Sequence, residues 1–404
     1  MRIAPRLAGG APPTGTSTGL RASLAGGREG DAGRRLAGLT WAHLLNDGAA
    51  NYLPGVLPAV LVAVRLPVQM AGLLMASLVV GQALQPVMGW VADRVGGRSM
   101  VATGLLLSTL GGAFLGETRS AAVLIVLLLL IGLGSACFHP QALAGVRSLL
   151  QGRSGLLTSV FLVGGELGRG VWPTAASLVA STLGLGYLWL IALPGLVTVA
   201  LVFRWAPALP PRPRTGSPIR WSEHGRPLTL LVTYRGIRAL TTYGLATFIP
   251  VMWHARGGSL VAGASIITTM IVVGVIGNLA GGNLADRAGR RVVLVASAVA
   301  TAALIVPMAT VHGAGLWVAA APLGVALFLT ASTTVLIGQD IFPENRSMGS
   351  GIALGLANGI GALLVLGIGF LVNSHDVVTV FWVLAGLSLA SVLPAMALPR
   401  SLAT

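Results

Sequence analysis

The chain has 404 residues, of which 54% are hydrophobic and only 9% charged, whereas a soluble domain carries about 25% charged residues. Its 56 Gly and 22 Pro would weaken water-exposed helices, yet small residues are what lipid-embedded helices pack with. These figures exclude a soluble enzyme, a nucleic-acid binder and a disulfide scaffold, the single Cys137 lying in an apolar run, and they imply an all-α polytopic membrane protein.

Residues 1–36 are rich in Gly, Ala, Ser, Thr, Pro and Arg and contain no continuous apolar stretch. The composition predicts a disordered cytoplasmic tail. It lacks the apolar run of a signal peptide, and Glu29 and Asp31 argue against an acid-poor transit peptide. From Leu39 onward, apolar blocks alternate with short polar punctuation. A hydrocarbon core of ~30 Å needs ~20 helical residues. Twelve blocks meet that length: about 39–63, 69–91, 99–117, 120–146, 155–180, 185–205, 228–253, 259–284, 291–311, 314–339, 348–373 and 376–398. Pro54, Pro58, Pro86, Pro140, Pro173, Pro250 and Pro322 fall inside blocks, where proline bends a transmembrane helix without ending it. One long polar connection, 207–227, divides the chain into a first half (37–206) and a second half (228–404), six blocks in each.

All 26 basic residues are Arg, and the formal net charge is +15. With the N-terminus in the cytoplasm, 20 Arg fall in cytoplasmic segments, and only Arg65, Arg119 and Arg256 lie on the opposite side. The positive-inside rule therefore predicts a multi-pass protein with both termini cytoplasmic. The basic balance is topological and calls for no nucleic-acid partner.

The two halves share a repeat. Gly89-Trp-Val-Ala-Asp93-Arg94-Val-Gly96-Gly-Arg98 follows block 2, and Gly282-Asn-Leu-Ala-Asp286-Arg287-Ala-Gly289-Arg290-Arg291 follows block 8, 193 residues later. A weaker echo links Ser154-Gly155…Gly165 to Ser350-Gly351…Gly361. Matching copies in two six-helix halves are the mark of a duplicated transporter. The G-x-x-A-D-R-x-G-x-R loops resemble the signature of the major facilitator superfamily. His43-x-x-Asn46-Asp47, Phe138-His139-Pro140 and Val163-Gly164-Gly165-x-Leu167-Gly168 resemble its fosmidomycin-resistance branch. The resemblance implies twelve transmembrane helices in two pseudo-symmetric halves, helices 1, 4, 7 and 10 lining a cavity. It further implies proton-coupled, drug-type efflux by alternating access across the plasma (bacterial inner) membrane. Two departures stand out: Glu166 occupies a position that is usually uncharged in the branch, and Trp172-Pro173 replaces the expected Gly-Pro.

Ionisable residues inside the apolar blocks are the functional candidates, because burying them in a membrane is costly. Asp47, Glu166 and His139 are the candidates for proton coupling. A carboxyl that gains and loses a neighbouring Arg can trade a proton, and Glu166 and Arg169 stand three residues apart on one helix face. Arg238, Arg235, Asn46, His43, Tyr243 and Arg169 are the candidates for substrate binding. A guanidinium in a watery cavity suits a carboxylate, phosphate or phosphonate, and Arg238 is the deeper of the helix 7 pair. Gly89, Asp93, Arg94, Arg98, Gly282, Asp286, Arg287 and Arg291 are expected to latch the halves in one conformer. His43 and Asp47 have one-face ligand spacing that His139 can approach, but the donor set is thin, so no metal site is expected.

The leading expectation is a monomeric secondary transporter exporting a small, anionic organic compound against protons, with no cofactor. The alternatives are proton-coupled uptake of an organic acid or sugar, divalent-metal export, and a non-transporting membrane receptor. An intramembrane enzyme would need a nucleophile–base or metal constellation, and ATP drive a G-x-x-x-x-G-K loop; neither pattern is present.

Overall fold

The computed structural model describes residues 17–95, 97–149, 154–208, 221–343, 349, 351–372 and 376–403. The first apolar block forms α1 (Ser17–Asn51) and α2 (Leu53–Ala63), and the second forms α3 (Ala71–Gln82) and α4 (Gln85–Val95). Then follow α5 (Gly97–Leu115), α6 (Ala121–Leu149), α7 (Ser154–Thr182) and, after a 3-10 turn at Leu185–Ala192, α8 (Leu193–Trp205). The second half contains α9 (Trp221–Ala255), α10 (Leu260–Ala288), α11 (Arg290–Thr310), α12 (Gly315–Phe328) and α13 (Ala331–Ile341). It ends with α14 (Ala357–Gly369), preceded by a π turn at Ile352–Leu356, and with α15 (Thr379–Ala390) and α16 (Val392–Ala397).

Among the described residues, eight helical spans are long and apolar enough to cross a membrane. Several blocks read as single helices are broken. The α1/α2 and α8 breaks have a proline in the first turn of the following helix, where its missing N–H costs nothing. Pro140, Pro173 and Pro250 lie within continuous helices, as membrane helices permit.

The N-terminal boundary needs a correction. Residues 17–36, expected to be disordered, form the start of α1, while residues 1–16 lie outside the described residues. Extending an existing helix requires no new nucleus, and this stretch contains the helix formers Ala, Leu and Arg. Asp31 also pairs with Arg35 one turn later, at 2.9 Å. Likewise α9 begins at Trp221, inside the predicted linker, of which residues 209–220 lie outside the described residues.

Helices approach one another through small residues, since lipid supplies no hydrophobic drive for their association. At Gly168 on α7 an added Cβ would lie 2.0 Å from the Leu44 carbonyl on α1, so the two backbones touch there. Across the halves, a Cβ at Gly72 on α3 would lie 2.6 Å from the Val365 carbonyl of α14.

The apolar cores are unequally shared between the halves. One large cluster joins Val56, Leu57 and Met75 of the first half to Phe248, Ile267 and Val365 of the second. Two smaller clusters belong to one half each: Leu39, Leu105 and Phe161 in the first, Leu231, Leu294 and Ile341 in the second. The shared cluster includes Leu61 and Val64 at the end of α2 and Leu316 at the start of α12, at the end of the bundle away from the chain termini. Between that end and the middle of the bundle, Thr268 on α10 donates to the Gly170 carbonyl at 2.6 Å and shares a 2.6 Å hydrogen bond with Thr174. The halves therefore share their apolar core at one end, while toward the other each has a core of its own and they touch at Pro86 beside Gly355 and Ala83 beside Gly359.

Candidate functional site at the interface of the halves

His43, Asn46 and Asp47 stand at i, i+3 and i+4 on α1, which puts them on one face. That face meets α6 and α7. Asp47 Oδ1 lies 3.1 Å from His139 Nε2 of α6, and Asp47 Oδ2 lies 3.2 Å from an Arg169 Nη of α7 and 3.6 Å from His43 Nε2. The other Nη of Arg169 donates to Glu166 at 3.4 Å, so one guanidinium bridges two carboxylates. Asn46 donates to Asp47 Oδ1 at 3.1 Å and accepts from Ser108 at 3.0 Å.

The surrounding sequence holds this geometry in place. A Cβ at Gly165 would lie 2.4 Å from the His43 ring, so only glycine leaves room for the imidazole against α7. The ring stacks on Phe161 with centroids 4.2 Å apart and on Phe138 at 5.9 Å. His43 Nδ1 lies 2.8 Å from the Phe161 carbonyl, and His139 Nδ1 lies 2.8 Å from the Ser135 carbonyl. A backbone carbonyl only accepts, so both Nδ1 atoms carry the proton and both Nε2 atoms turn toward Asp47.

Exposure grades through the cluster. The Arg169 and His139 side chains are 30% and 24% exposed, Glu166 is 17%, and Asp47 is 2%. Water reaches Asp47 only past its partners. Across the interface stand Arg235 and Tyr243 of α9. Arg235 donates to the Ala353 carbonyl at 3.3 Å and to Asn358 at 3.4 Å. Tyr243 lies within electrostatic range of Arg169, Arg235, Asp47 and Glu166, residues of both halves.

The structure thus brings His43, Asn46, Asp47, His139, Glu166, Arg169, Arg235 and Tyr243 into one polar layer. Arg238, the preferred substrate ligand from sequence, lies elsewhere. It is fully enclosed in the second half and donates to Thr301 (2.9 Å), Ser297 (2.9 Å) and the Ala326 and Leu327 carbonyls (3.0 and 2.7 Å). Its guanidinium ties α9 to α11 and α12, and depth in the helix does not mean facing the cavity. Asn46 and Ser108 stand 192 and 193 residues before Arg238 and Thr301, so the duplicated halves place a polar tie at the same site.

The expected latch residues divide. Arg98 donates to the Ala206 carbonyl at 2.8 Å, and Arg291 donates to the Leu398 carbonyl, each fastening the start of one helix to the end of the last helix of the same half. These two are ties within a half and not between halves. Arg94 lies over the Trp90 ring at 3.5 Å, and Gly89 packs beside Pro140. Gly282 has open space around it, Asp286 and Arg287 are exposed, and the Asp93 side chain lies outside the described residues. A neighbouring pair that sequence reasoning passed over, Arg290 and Asp340, meets at 2.6 Å. Also passed over were Ser135, one turn before His139, and Ser297 with Thr301, an i, i+4 pair; their spacing was readable but their partners were not.

The Major Facilitator Superfamily model matches residues 39–240 and 231–403. The fosmidomycin resistance protein of Escherichia coli (strain K12) is 26% identical over 378 residues, covering 89% of this chain and 91% of that protein. The uncharacterized MFS-type transporter YfnC of Bacillus subtilis (strain 168) is 26% identical over 357 residues, covering 82% and 85%. Among solved structures, the nucleoside transporter NupG superposes with a TM-score of 0.73 at 15% identity, covering 91% of this chain and 98% of that one. A two-half helical bundle with an ionic layer at its centre, matched along nearly its whole length, belongs to the major facilitator superfamily, whose members are membrane transporters of small molecules and not enzymes.

Proposed function

We propose that the chain is a secondary active transporter that exports a small organic anion from the cytoplasm, in exchange for protons, by alternating access in the plasma (bacterial inner) membrane. The observation that supports this reading is that Arg169 of one half and Arg235 of the other, together with Tyr243, lie within electrostatic range of one another inside an otherwise apolar bundle. Guanidinium groups on both sides of a closing interface bind a carboxylate or phosphate through two N–H donors each and release it when the halves separate. With both termini cytoplasmic, the shared core seals the outer end, and the conformer is inward-facing. The E. coli relative is named for drug resistance, an outcome that export produces.

For coupling, Glu166 is the carboxylate the geometry favours. It is partly exposed, and its ionic partner Arg169 is shared with Asp47. When the substrate has left and Arg169 turns wholly to Asp47, Glu166 is left as a lone carboxylate in the membrane interior, where the protonated form is preferred, so that proton and substrate occupy the site in turn. Asp47, which accepts from Arg169 and from the Asn46 amide, is the better-held charge. The same sharing supports a second reading, uptake: an anion that draws Arg169 away lets Glu166 take a proton, so that both occupy the site and move together.

Flux in proteoliposomes with an imposed pH gradient, over a panel of organic anions and cations, tests these readings. Export predicts anion movement opposite to the proton gradient, and uptake predicts movement along it. Glu166→Gln should make flux indifferent to the gradient, and Arg235→Gln should raise KM for an anion about tenfold, the loss of ~1.4 kcal/mol of a charged hydrogen bond. Wild-type flux indifferent to pH refutes proton coupling; intact anion transport in Arg235→Gln refutes the anion site.

A further inference from the structure

His43, Asp47 and His139 form an enclosed cluster whose geometry asks for more than a proton. Both imidazoles donate their Nδ1–H to backbone carbonyls, so two Nε2 lone pairs and a carboxylate face one point. A proton relieves one contact among the three. A divalent cation satisfies all of them at once.

The spacing fits such an ion. Tetrahedral ligands at ~2.0–2.1 Å from zinc lie about 3.3 Å from one another. Here the two Nε2 atoms are 3.3 Å apart, His139 Nε2 to Asp47 Oδ1 is 3.1 Å, and His43 Nε2 to Asp47 Oδ2 is 3.6 Å. The outer contacts also match a metal centre, in which a ligating imidazole donates its other N–H to a carbonyl and the ligating carboxylate is itself hydrogen-bonded. Phe161 and Ser135 supply the carbonyls, and Arg169 and Asn46 bond the carboxylate. Phe138, Phe161 and Gly165 fix the His43 ring. His139, whose side chain is partly exposed, gives the fourth position a path to water.

We propose that His43, Asp47 and His139 bind one divalent transition-metal ion of the zinc type between the first and fourth membrane helices. The site has two imidazoles and one carboxylate as ligands and a water-accessible fourth position. An ion bound there shares Asp47 with Arg169, whose Nη lies 3.2 Å from Oδ2, so it is able to loosen Arg169 toward Glu166 and the substrate layer.

The test is Co2+ titration of tag-free protein purified in detergent. It should give a visible tetrahedral absorption band that saturates at one ion per chain and that Zn2+ abolishes. His139→Gln should weaken binding by about tenfold or more, while His254→Gln, at an exposed histidine, leaves it unchanged. X-ray absorption of the Zn2+-loaded wild-type protein needs no variant and should show two imidazoles among four ligands. A Co2+ spectrum that is octahedral or absent, binding equal in wild type and His139→Gln, or a zinc shell without two imidazoles overturns the proposal, leaving protons as the only cation there. Because binding is read without flux, the outcome is separate from that of the transport reading.

Discussion

Replacing Arg238 distinguishes a structural tie from a substrate ligand. The guanidinium contacts four acceptors: the Thr301 and Ser297 hydroxyls and the Ala326 and Leu327 carbonyls. In Arg238→Met, Ala326 O keeps the Ser297 hydroxyl, which donates to it at 2.6 Å. The hydroxyls can rotate to other acceptors, so the principal loss is at Leu327 O and in the displaced packing. A buried acceptor left unpaired costs ~1–3 kcal/mol, and Met fills the volume imperfectly for about another 1–2 kcal/mol. Against this stands the relief from burying a cation with no carboxylate among its hydrogen-bond partners and with its Nε–H unbonded. The net expectation is destabilisation of about 1–3 kcal/mol, roughly a 5- to 150-fold change in the folding equilibrium. Thermal unfolding in detergent should therefore fall by several degrees, while the KM of the protein that remains folded stays within twofold of wild type. An unchanged melting temperature with KM raised tenfold or more refutes the reasoning and returns Arg238 to the substrate path.

Thr268→Val removes both hydrogen bonds that join the halves on the closed side of the ionic layer, to the Gly170 carbonyl and to Thr174. At ~1 kcal/mol each, it should shift the conformer equilibrium about 5- to 30-fold away from the described state; spin-label distances across α7 and α10 report it, and an unmoved distribution refutes the assignment of that side as the closed one. Gly168→Ala and Gly282→Ala should have opposite signs. The first forces a methyl against the Leu44 carbonyl and costs ~1–3 kcal/mol, while the second enters open space on a helix and gains up to ~1 kcal/mol. Equal melting temperatures for the two variants would contradict the close approach of α1 and α7.

Much of the site was readable as composition. Where only 9% of residues are charged, any ion inside an apolar block stands out, and His43, Asp47, Glu166, Arg169 and Arg235 were found that way. Arg238 was found by the same signal and given the wrong surroundings. Its distance along α9 was correct, but one turn of helix separates Arg235, beside Asn358 and the opposite half, from Arg238, among α11 and α12. The latch motif was legible as a repeat, while the acceptors of Arg98 and Arg291 lie 108 and 107 residues further along the chain and could not be read.

The sequence by itself determined the solvent, the helical class, the duplication and the family, because apolar length, charge sparsity and repeated loops are local properties of the chain. Only the tertiary structure decided which ions share a site. That depends on the rotation of each helix about its axis, set by close contacts such as Gly168 against Leu44 and Gly72 against Val365. Those contacts turn two histidines, an aspartate and a bridging arginine from three helices toward one point, a relation that no stretch of the sequence contains.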